Sequence, residues 1–155
     1  MQERFQVRVQ NGAFDLGAEC ERMRLADAGI GAIASFVGVV RELNDGVGVN
    51  ALELEHYPGM TEKVIEGIVD EARSRWPLNS ALVVHRVGLL RPTDPIVLVI
   101  CTSAHRAAAF ESCAFIMDFL KTRAPFWKKE STPDGARWVE ARDSDSAAAR
   151  GWEGK

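Results

Sequence analysis

A near-continuous apolar run followed directly by a long apolar helix constrains the fold more than any other feature of this sequence. Residues 95–102 read PIVLVICT, the pattern of a central strand that is buried on both faces. The segment that begins at His105 is typical of a helix, and between 110 and 120 only three residues interrupt its apolar character: Glu111, Ser112 and Asp118. A helix that is apolar on nearly all sides is buried. The sequence therefore predicts a strand–helix pair at the centre of the core.

Strands and helices are predicted to alternate along the first part of the chain. The predicted strands cover residues 5–9, 31–41, 49–57 and 81–88. The predicted helices cover residues 16–28 and 61–76, and Asp15 is the expected N-cap of the first. The polar segments 42–48 and 89–94 are predicted loops. This order of elements indicates an α/β (α+β) fold.

The C-terminal part of the chain contains a predicted hairpin and a tail. Residues 126–130 and 136–141 are extended segments on either side of the turn Pro133-Asp134-Gly135. After residue 142 the sequence is rich in Ala, Asp and Ser, which predicts a flexible tail over 143–155. We therefore predict one domain over residues 1–142.

The charge is weakly acidic overall but unevenly distributed. The 155 residues carry a net charge of −3, which gives no reason to expect nucleic acid or a membrane as a partner. Basic residues nevertheless cluster near the C-terminus: Lys121, Arg123, Lys128, Lys129, Arg137 and Arg142. An acidic protein with one cationic patch suggests a small anionic ligand or the acidic tail of a partner protein.

The cysteines and the start of the chain indicate an intracellular protein. The chain has three cysteines, an odd number, and no CxxC spacing among Cys20, Cys101 and Cys113. Buried reduced thiols are therefore expected rather than a metal or catalytic site. The chain opens with no signal peptide pattern, and no apolar run is long enough to span a bilayer. The cytoplasm is the expected location.

Lys121 and Lys128 are the first candidates for catalysis. Counting back from Lys121 by helical steps gives Met117, Ala114 and Phe110, so Lys121 ends an apolar stripe. An ammonium that is partly desolvated there would be suited to proton transfer or nucleophilic chemistry. The alternative is an ordinary cation at the C-terminus of a helix, where the helix dipole favours it.

A second candidate site lies at the start of the same helix. Ser103 is an expected N-cap, and His105 and Arg106 fall in the first turn, where free backbone N–H groups already attract anions. Arg41 ends the second predicted strand, where a guanidinium can fork onto a phosphate or carboxylate. Local pattern alone also allows a solvated first turn and a solvated strand end.

The sequence lacks the motifs of common cofactor sites, which leaves the chemistry to Lys, Arg and His. His85 lies in a predicted strand, and a structural hydrogen-bonded histidine is the favoured interpretation there. The sequence contains no Walker loop, no GxGxxG after a strand, no HExxH, no paired-cysteine zinc site and no GxSxG elbow. We therefore expect no ATP, dinucleotide or metal cofactor.

Several long motifs resemble one known family. SAHRAAAFESCAFIMDFLKTRAPFWKKE followed by TPDGARWVEA closely resembles the catalytic (large) subunit of molybdopterin synthase, and GAIASFVGVVRELNDG, LELEHYPGM and VVHRVGLL are similar to that family at corresponding points. The resemblance extends from Phe5 to Arg142. It implies an α/β hammerhead fold with an additional antiparallel β-subdomain.

The resemblance also implies a reaction and partners. Members of this family convert cyclic pyranopterin monophosphate into molybdopterin by inserting the two sulfurs of its dithiolene, as sulfurtransferases without a bound cofactor. The sulfur arrives as a thiocarboxylate on the C-terminal glycine of a small ubiquitin-like subunit. A central homodimer of large subunits carries one small subunit at each end, forming a heterotetramer in molybdenum cofactor biosynthesis.

The residues of this sequence fit that chemistry as candidates. Lys121 is expected to act on the thiocarboxylate tail, while Lys128 protonates or stabilises the opening ring. The substrate phosphate is expected to be bound by four cationic residues, the last from a neighbouring subunit: Arg41, His105, Arg106 and Arg142. Phe36 and Met117 either line the pocket or pack in the core.

Two other classes of function remain open from the residues themselves. One is a non-catalytic module that docks a ubiquitin-like protein tail in the same cationic groove. The other is an acyl- or phosphoryl-transfer enzyme using Lys and His, although the missing glycine-rich loop argues against a nucleotide or coenzyme A. Turnover distinguishes the docking module from the enzyme.

Overall fold

The structure, a computed structural model, describes residues 4–44, 47–48, 50–139 and 143–153. The strands are β1 (Phe5–Gln10), β2 (Ala32–Val39), β3 (Leu43–Asn44), β4 (Val47–Gly48), β5 (Ala51–His56), β6 (Leu78–Arg86), β7 (Gly88–Leu90), β8 (Pro95–Ser103), β9 (Phe126–Thr132) and β10 (Gly135–Val139). The helices are α1 (Leu16–Ala26), α2 (Met60–Arg75), α3 (Arg106–Arg123) and α4 (Asp143–Arg150). The predicted mixture of strands and helices is confirmed.

The central sheet has the strand order β1-β6-β8-β2. Strand β1 is parallel to β6, and the other neighbours are antiparallel. As predicted, β8 is buried on both faces, because its alternating side chains enter two different clusters. Val97, Val99 and Cys101 pack with α2 and α3, while Leu98 and Ile100 pack with α1. This strand is therefore the centre of the core.

Helices α2 and α3 cover one face of this sheet, and α1 covers the other. The N-cap predicted for α1 is confirmed, since the carboxylate of Asp15 accepts a hydrogen bond from the backbone N–H of Ala18 at 3.0 Å. Helix α3 packs along β8, with the Sγ of Cys113 3.9 Å from the carbonyl oxygen of Val99. Cys101 and Cys113 are both buried and free of disulfides, as predicted.

A second sheet, with the order β10-β9-β5-β7, is antiparallel throughout. Its apolar face buries Leu52, Leu54 and Leu90 in a small cluster with Val40. The strand predicted over 49–57 is present as β5, and its side chains alternate, because Leu52 and Leu54 are buried whereas Glu53 is exposed. The predicted hairpin is also present as β9 and β10. The chain thus forms a mixed α/β fold with two four-stranded sheets.

The two predicted loops contain short strands. Within 42–48, β3 pairs with β4, and within 89–94, β7 extends the second sheet by pairing with β5. These strands have two or three residues each, too few to show a period-two pattern in the sequence. Gly88 opens β7 with φ of 90°, a backbone conformation that glycine adopts without steric cost.

The segment expected to be a flexible tail, 143–155, instead begins with α4 and packs on the core in the residues that the structure describes. Ala149 is buried, and the ring of Trp152 contacts that of Phe115 edge to face at 5.5 Å between centroids. The indole N–H of Trp152 donates to the carboxylate of Asp118 at 2.6 Å. The composition of the segment concealed this, because Trp152 is its one aromatic side chain in an otherwise small and polar stretch.

Candidate active site

Lys121 lies in the last turn of α3, where it is exposed. The stripe behind it is only partly buried: Met117 is 9 % exposed, whereas Phe110 is 65 % exposed and Ala114 also faces outward. The partial desolvation predicted for Lys121 is therefore not found in the single chain. The reason is that α3 buries the opposite side, which carries Phe115, against α2 and the central sheet.

Lys128 lies in β9, opposite Leu54 of β5 and Val139 of β10. Side chains on one strand alternate between its two faces, so Lys128 shares a face with Phe126 and Glu130. That face is turned inward: Lys128 is partly buried and Glu130 is 2 % exposed. Lys129 is exposed on the opposite face.

The two lysines converge on His85, at the end of β6. The pKa of His85 is lowered to about 4, chiefly by burial and further by the positive charges of Lys128 and Lys121, against a hydrogen bond to the carbonyl of Arg86 that raises it. A positive charge lowers the pKa of a histidine in this way only when the two groups lie close together. The structure therefore brings the two predicted catalytic lysines to one place, where α3, β6 and β9 meet.

His56 and Glu62 border the same place. His56 pairs with Phe126 across β5 and β9, and the two rings have centroids 6.1 Å apart. Nδ1 of His56 lies 4.0 Å from Oε1 of Glu62, in the first turn of α2. The same carboxylate accepts a hydrogen bond from the backbone N–H of Gly59 at 3.2 Å. Helix α2 thus fixes an acid beside His56.

Arg41 lies at the same end of the central sheet as Lys121. Strand β2 ends with Val39 paired to Pro95, the first residue of β8, and exposed Arg41 follows two residues later. Helix α3 runs back along β8, so from Cys113, level with Val99, it rises about 12 Å to reach Lys121. Following β8 backwards from Val99 to Pro95 covers about 13 Å in the same direction. Lys121 is therefore level with Val39 and Pro95, two residues before Arg41.

Phe36 lies at the middle of the sheet, where it pairs with Val99, and Met117 lies one turn of α3 from Cys113 towards Lys121. Met117 belongs to the core cluster beneath α3, so core packing is what the single chain shows for it. Phe36 is 42 % exposed on β2, and its ring lies 3.4 Å from where a Cβ would sit on Gly38. Only Phe36 of the two therefore offers a free apolar surface.

His105 and Arg106 lie at the opposite end of α3 from Lys121. The fifteen-residue separation corresponds to about 22 Å along the helix axis, so one chain does not bring these predicted site residues together. The N-cap prediction for Ser103 is wrong, because Ser103 is the last residue of β8 and its hydroxyl donates to the carbonyl of Pro77 at 2.7 Å. His105 occupies the N-cap position without a side-chain cap.

One predicted site residue cannot be placed, and three neighbours were not predicted. Arg142 lies outside the described residues. The unpredicted neighbours are His56, Glu62 and Phe126. Alternation in β5 placed His56 on the face of Leu52 and Leu54, which was the available signal, but nothing in the sequence indicated that α2 and β9 border the same site.

Two further findings concern the described part of the chain. None of its helices is long and apolar enough to cross a membrane. None of its groups of three or more His, Cys, Asp or Glu side chains is arranged to hold a metal ion.

Known proteins match the chain over most of its length. The family model described as MoaE protein matches residues 9–123. A molybdopterin synthase catalytic subunit from Ralstonia nicotianae is 60 % identical over 146 residues, which are 94 % of this chain and 83 % of that protein. The chain is an enzyme subunit of molybdenum cofactor biosynthesis. It belongs to the MoaE family, the molybdopterin synthase catalytic subunits.

Solved structures have the same fold. A molybdopterin biosynthesis MoaE protein from Burkholderia ambifaria is similar with a TM-score of 0.82 and 54 % identity, covering 96 % of this chain and 98 % of that one. A chain of a complex of subunits 1 and 2 of molybdopterin-converting factor from Helicobacter pylori has a TM-score of 0.73. It is 20 % identical and covers 88 % of this chain and 91 % of that one, a likeness of fold alone.

Proposed function

We propose that this subunit transfers sulfur from the C-terminal thiocarboxylate of a small ubiquitin-like protein to cyclic pyranopterin monophosphate, forming the dithiolene of molybdopterin. The observation that carries the proposal is the convergence of Lys121 and Lys128 on the junction of α3, β6 and β9. Both the thiocarboxylate and the cyclic phosphate are anions. Two ammonium groups from different elements can hold one anion each and keep the reacting atoms in contact.

The two lysines have different roles in this proposal. Lys121, exposed at the end of α3, can be reached by a peptide tail from solvent and acts on the thiocarboxylate. Lys128, partly buried on β9, protonates or stabilises the opening ring of the pterin substrate. Each transfer forms a bond between the sulfur and a carbon of the pterin substrate and breaks the bond between the sulfur and the acyl carbon of the tail. Water supplies the oxygen with which the acyl carbon ends as a carboxylate. Two sulfurs therefore require two thiocarboxylated tails.

Substrate binding needs residues from two copies of the chain. Arg41 lies at the lysine end of the sheet and Phe36 at its middle, but His105 and Arg106 lie about 22 Å from Lys121 along α3. A homodimer would allow the second copy to supply these two residues and Arg142. The exposed rings of Phe36 and Phe110, on the edge strand β2 and on α3, support an interface there.

The resemblance extends the proposal to the assembly. We expect one small ubiquitin-like subunit at each end of the homodimer, giving a heterotetramer. The fold similarity to a chain solved in a complex of two molybdopterin-converting factor subunits agrees with this arrangement. We also expect a single domain of the α/β hammerhead type, with the antiparallel second sheet as its β-subdomain, located in the cytoplasm.

A reconstituted assay tests the proposed reaction. The purified subunit is mixed with cyclic pyranopterin monophosphate and the thiocarboxylated small subunit, and product is followed as its fluorescent oxidised derivative. We expect product with the wild-type chain and almost none with Lys121→Ala, while the small subunit still binds. Tight binding of the small subunit without any product would favour the docking-module interpretation instead.

A further inference from the structure

The ring of His85 is held in one orientation by two contacts. It stacks on the ring of Phe126, with centroids 3.8 Å apart and an angle of 17° between the planes. Its Nδ1 lies 2.8 Å from the carbonyl oxygen of Arg86. Phe126 is itself packed against the core cluster of β8, α2 and α3, so the stacked pair is supported by the core.

These contacts define which nitrogen of His85 carries the proton. A carbonyl oxygen accepts hydrogen bonds and cannot donate them, so Nδ1 must be the donor. Burial keeps the ring neutral at pH 7, because it lowers the pKa of His85 to about 4. A neutral imidazole with its proton on Nδ1 has an unprotonated Nε2. His85 therefore presents a hydrogen-bond acceptor at Nε2.

The groups around His85 are mostly donors. Lys128 from β9 and Lys121 from α3 lie near enough for their positive charges to disfavour a charged His85. The ring of His56 from β5 lies beside Phe126 in the same aromatic group. Glu62 from α2 is within 4.0 Å of His56. Lys128 follows Phe126 by two residues and therefore projects from the same face of β9 as the ring on which His85 stacks.

We propose that His85 is a positioning residue that accepts a hydrogen bond at Nε2 from the ammonium group of Lys128 and aims that group at the substrate. The proposal rests on the proposed sulfur-transfer function and adds to it a residue outside the predicted catalytic and substrate-binding set. His85 acts through Lys128 and does not itself touch the reacting atoms.

A neutral acceptor has an advantage over a carboxylate in this position. A carboxylate would form an ion pair with Lys128 and cancel much of the positive charge that the substrate phosphate requires. A neutral imidazole restricts the lysine side chain, which is otherwise rich in rotamers, and leaves its charge available. The stack with Phe126 prevents the imidazole from rotating away.

Nitrogen NMR of the ring tests the contact without any turnover. The 15N spectrum of His85 at pH 7 should show a protonated Nδ1 and an unprotonated, hydrogen-bonded Nε2. In Lys128→Met, the Nε2 resonance should move to the position of an acceptor without a partner. Lys129→Met is the matched control, because Lys129 projects from the opposite face of β9 and should leave the resonance unchanged. A protonated Nε2, or no response to Lys128→Met, would overturn the proposal.

Kinetics test the consequence for catalysis. His85→Phe preserves a flat ring for stacking but has no acceptor, and we expect kcat to fall about 100-fold with an unchanged KM. His85→Gln restores an acceptor oxygen near the position of Nε2 and should recover most of that loss. A purely structural role would make Phe the better replacement of the two. That result would contradict the positioning role.

The two measurements separate this inference from the proposed function. If Lys121→Ala and Lys128→Ala both retained full turnover while the Nε2 resonance still responded to Lys128→Met, the catalytic assignment would fail and the contact would stand. If turnover required both lysines but the Nε2 resonance ignored Lys128, only the positioning role of His85 would fail.

Discussion

Arg106 and Lys121 lie on the same helix, one in the first turn of α3 and the other in the last. At the rise of an α-helix the two residues are about 22 Å apart along the axis, which exceeds the size of a small pterin substrate. Both can contribute to one site only if that site is formed by two copies of the chain. The proposed site includes both residues and therefore requires the proposed homodimer.

Mixing two inactive variants should therefore restore activity. Arg106→Ala and Lys121→Ala each remove one side of the shared site, so each alone should be nearly inactive. Random association produces heterodimers in half of the population, each with one intact site of two, so about a quarter of the wild-type turnover should return. The measurement is product formation after the two variants are mixed and allowed to exchange.

A matched mixture provides the control for this complementation. Lys121→Ala mixed with Lys128→Ala should recover nothing, because both lysines lie at the same end of one chain. Equal recovery in both mixtures, or none in either, would argue against a site shared in this way.

Lys128 and Lys129 should differ sharply although they are neighbours. Lys128 is partly buried on the face of β9 that carries Phe126, whereas Lys129 is exposed on the other face. We expect Lys128→Ala to lower kcat by at least about 100-fold, since it removes a proton-transfer group. Lys129→Ala should change kcat less than about twofold. Similar losses in both variants would indicate a general electrostatic effect and not a specific site.

The stability of the protein should depend on pH through His85. Burial lowers its pKa in the folded chain from 6.5 to about 4. Between these values the unfolded chain binds a proton that the folded chain does not, so the free energy of unfolding decreases as the pH falls. The full loss for this group is roughly 3 kcal/mol.

Chemical denaturation at pH 7 and pH 4 measures this dependence, with His85→Phe as the reference. The variant cannot take up the proton, so its free energy of unfolding should fall by roughly 3 kcal/mol less over the same range. Parallel pH dependences in the two proteins would mean that the pKa of His85 is not lowered by folding.

The C-terminal segment should contribute to stability through Trp152. Its indole contacts Phe115 and donates to Asp118, so Trp152→Ala removes both a packed ring and a hydrogen bond. We expect a loss of about 2 kcal/mol, below the range for a fully buried Trp because this ring is partly exposed. Urea denaturation measures it, and the exposed neighbour Glu153, replaced by Ala, should show almost no effect. A negligible loss for Trp152→Ala would indicate a segment that does not pack on the core.

Gly31 should resist the addition of a single methyl group. A Cβ at this position would overlap the carbonyl oxygen of Ala104, directly before the first turn of α3. Gly31→Ala should therefore destabilise the protein by about 1 to 3 kcal/mol and disturb His105 and Arg106. Gly67→Ala is the opposite control, because its Cβ would meet no atom within 4 Å in α2, and it should stabilise by up to about 1 kcal/mol. Equal effects of the two changes would contradict this packing.

The long elements could be predicted from the sequence because each has a clear local period. The buried strand β8, the capped helix α1 and the alternating strand β5 all follow from spacing and from single residues such as Asp15. The short strands β3, β4 and β7 could not be predicted, because two or three residues carry no period. The attachment of Trp152 was hidden for a similar reason, since one side chain in a polar segment leaves no pattern.

The sequence by itself determined the family, the α/β composition and the two lysines, because long motifs and local periodicity are written along the chain. Only the tertiary structure decided which of these residues meet. It brought Lys121, Lys128 and His85 together from α3, β9 and β6, and it kept Arg106 at the other end of α3. The physical reason is that the distance between two residues depends on how elements pack and in which direction they run, and a local pattern contains neither.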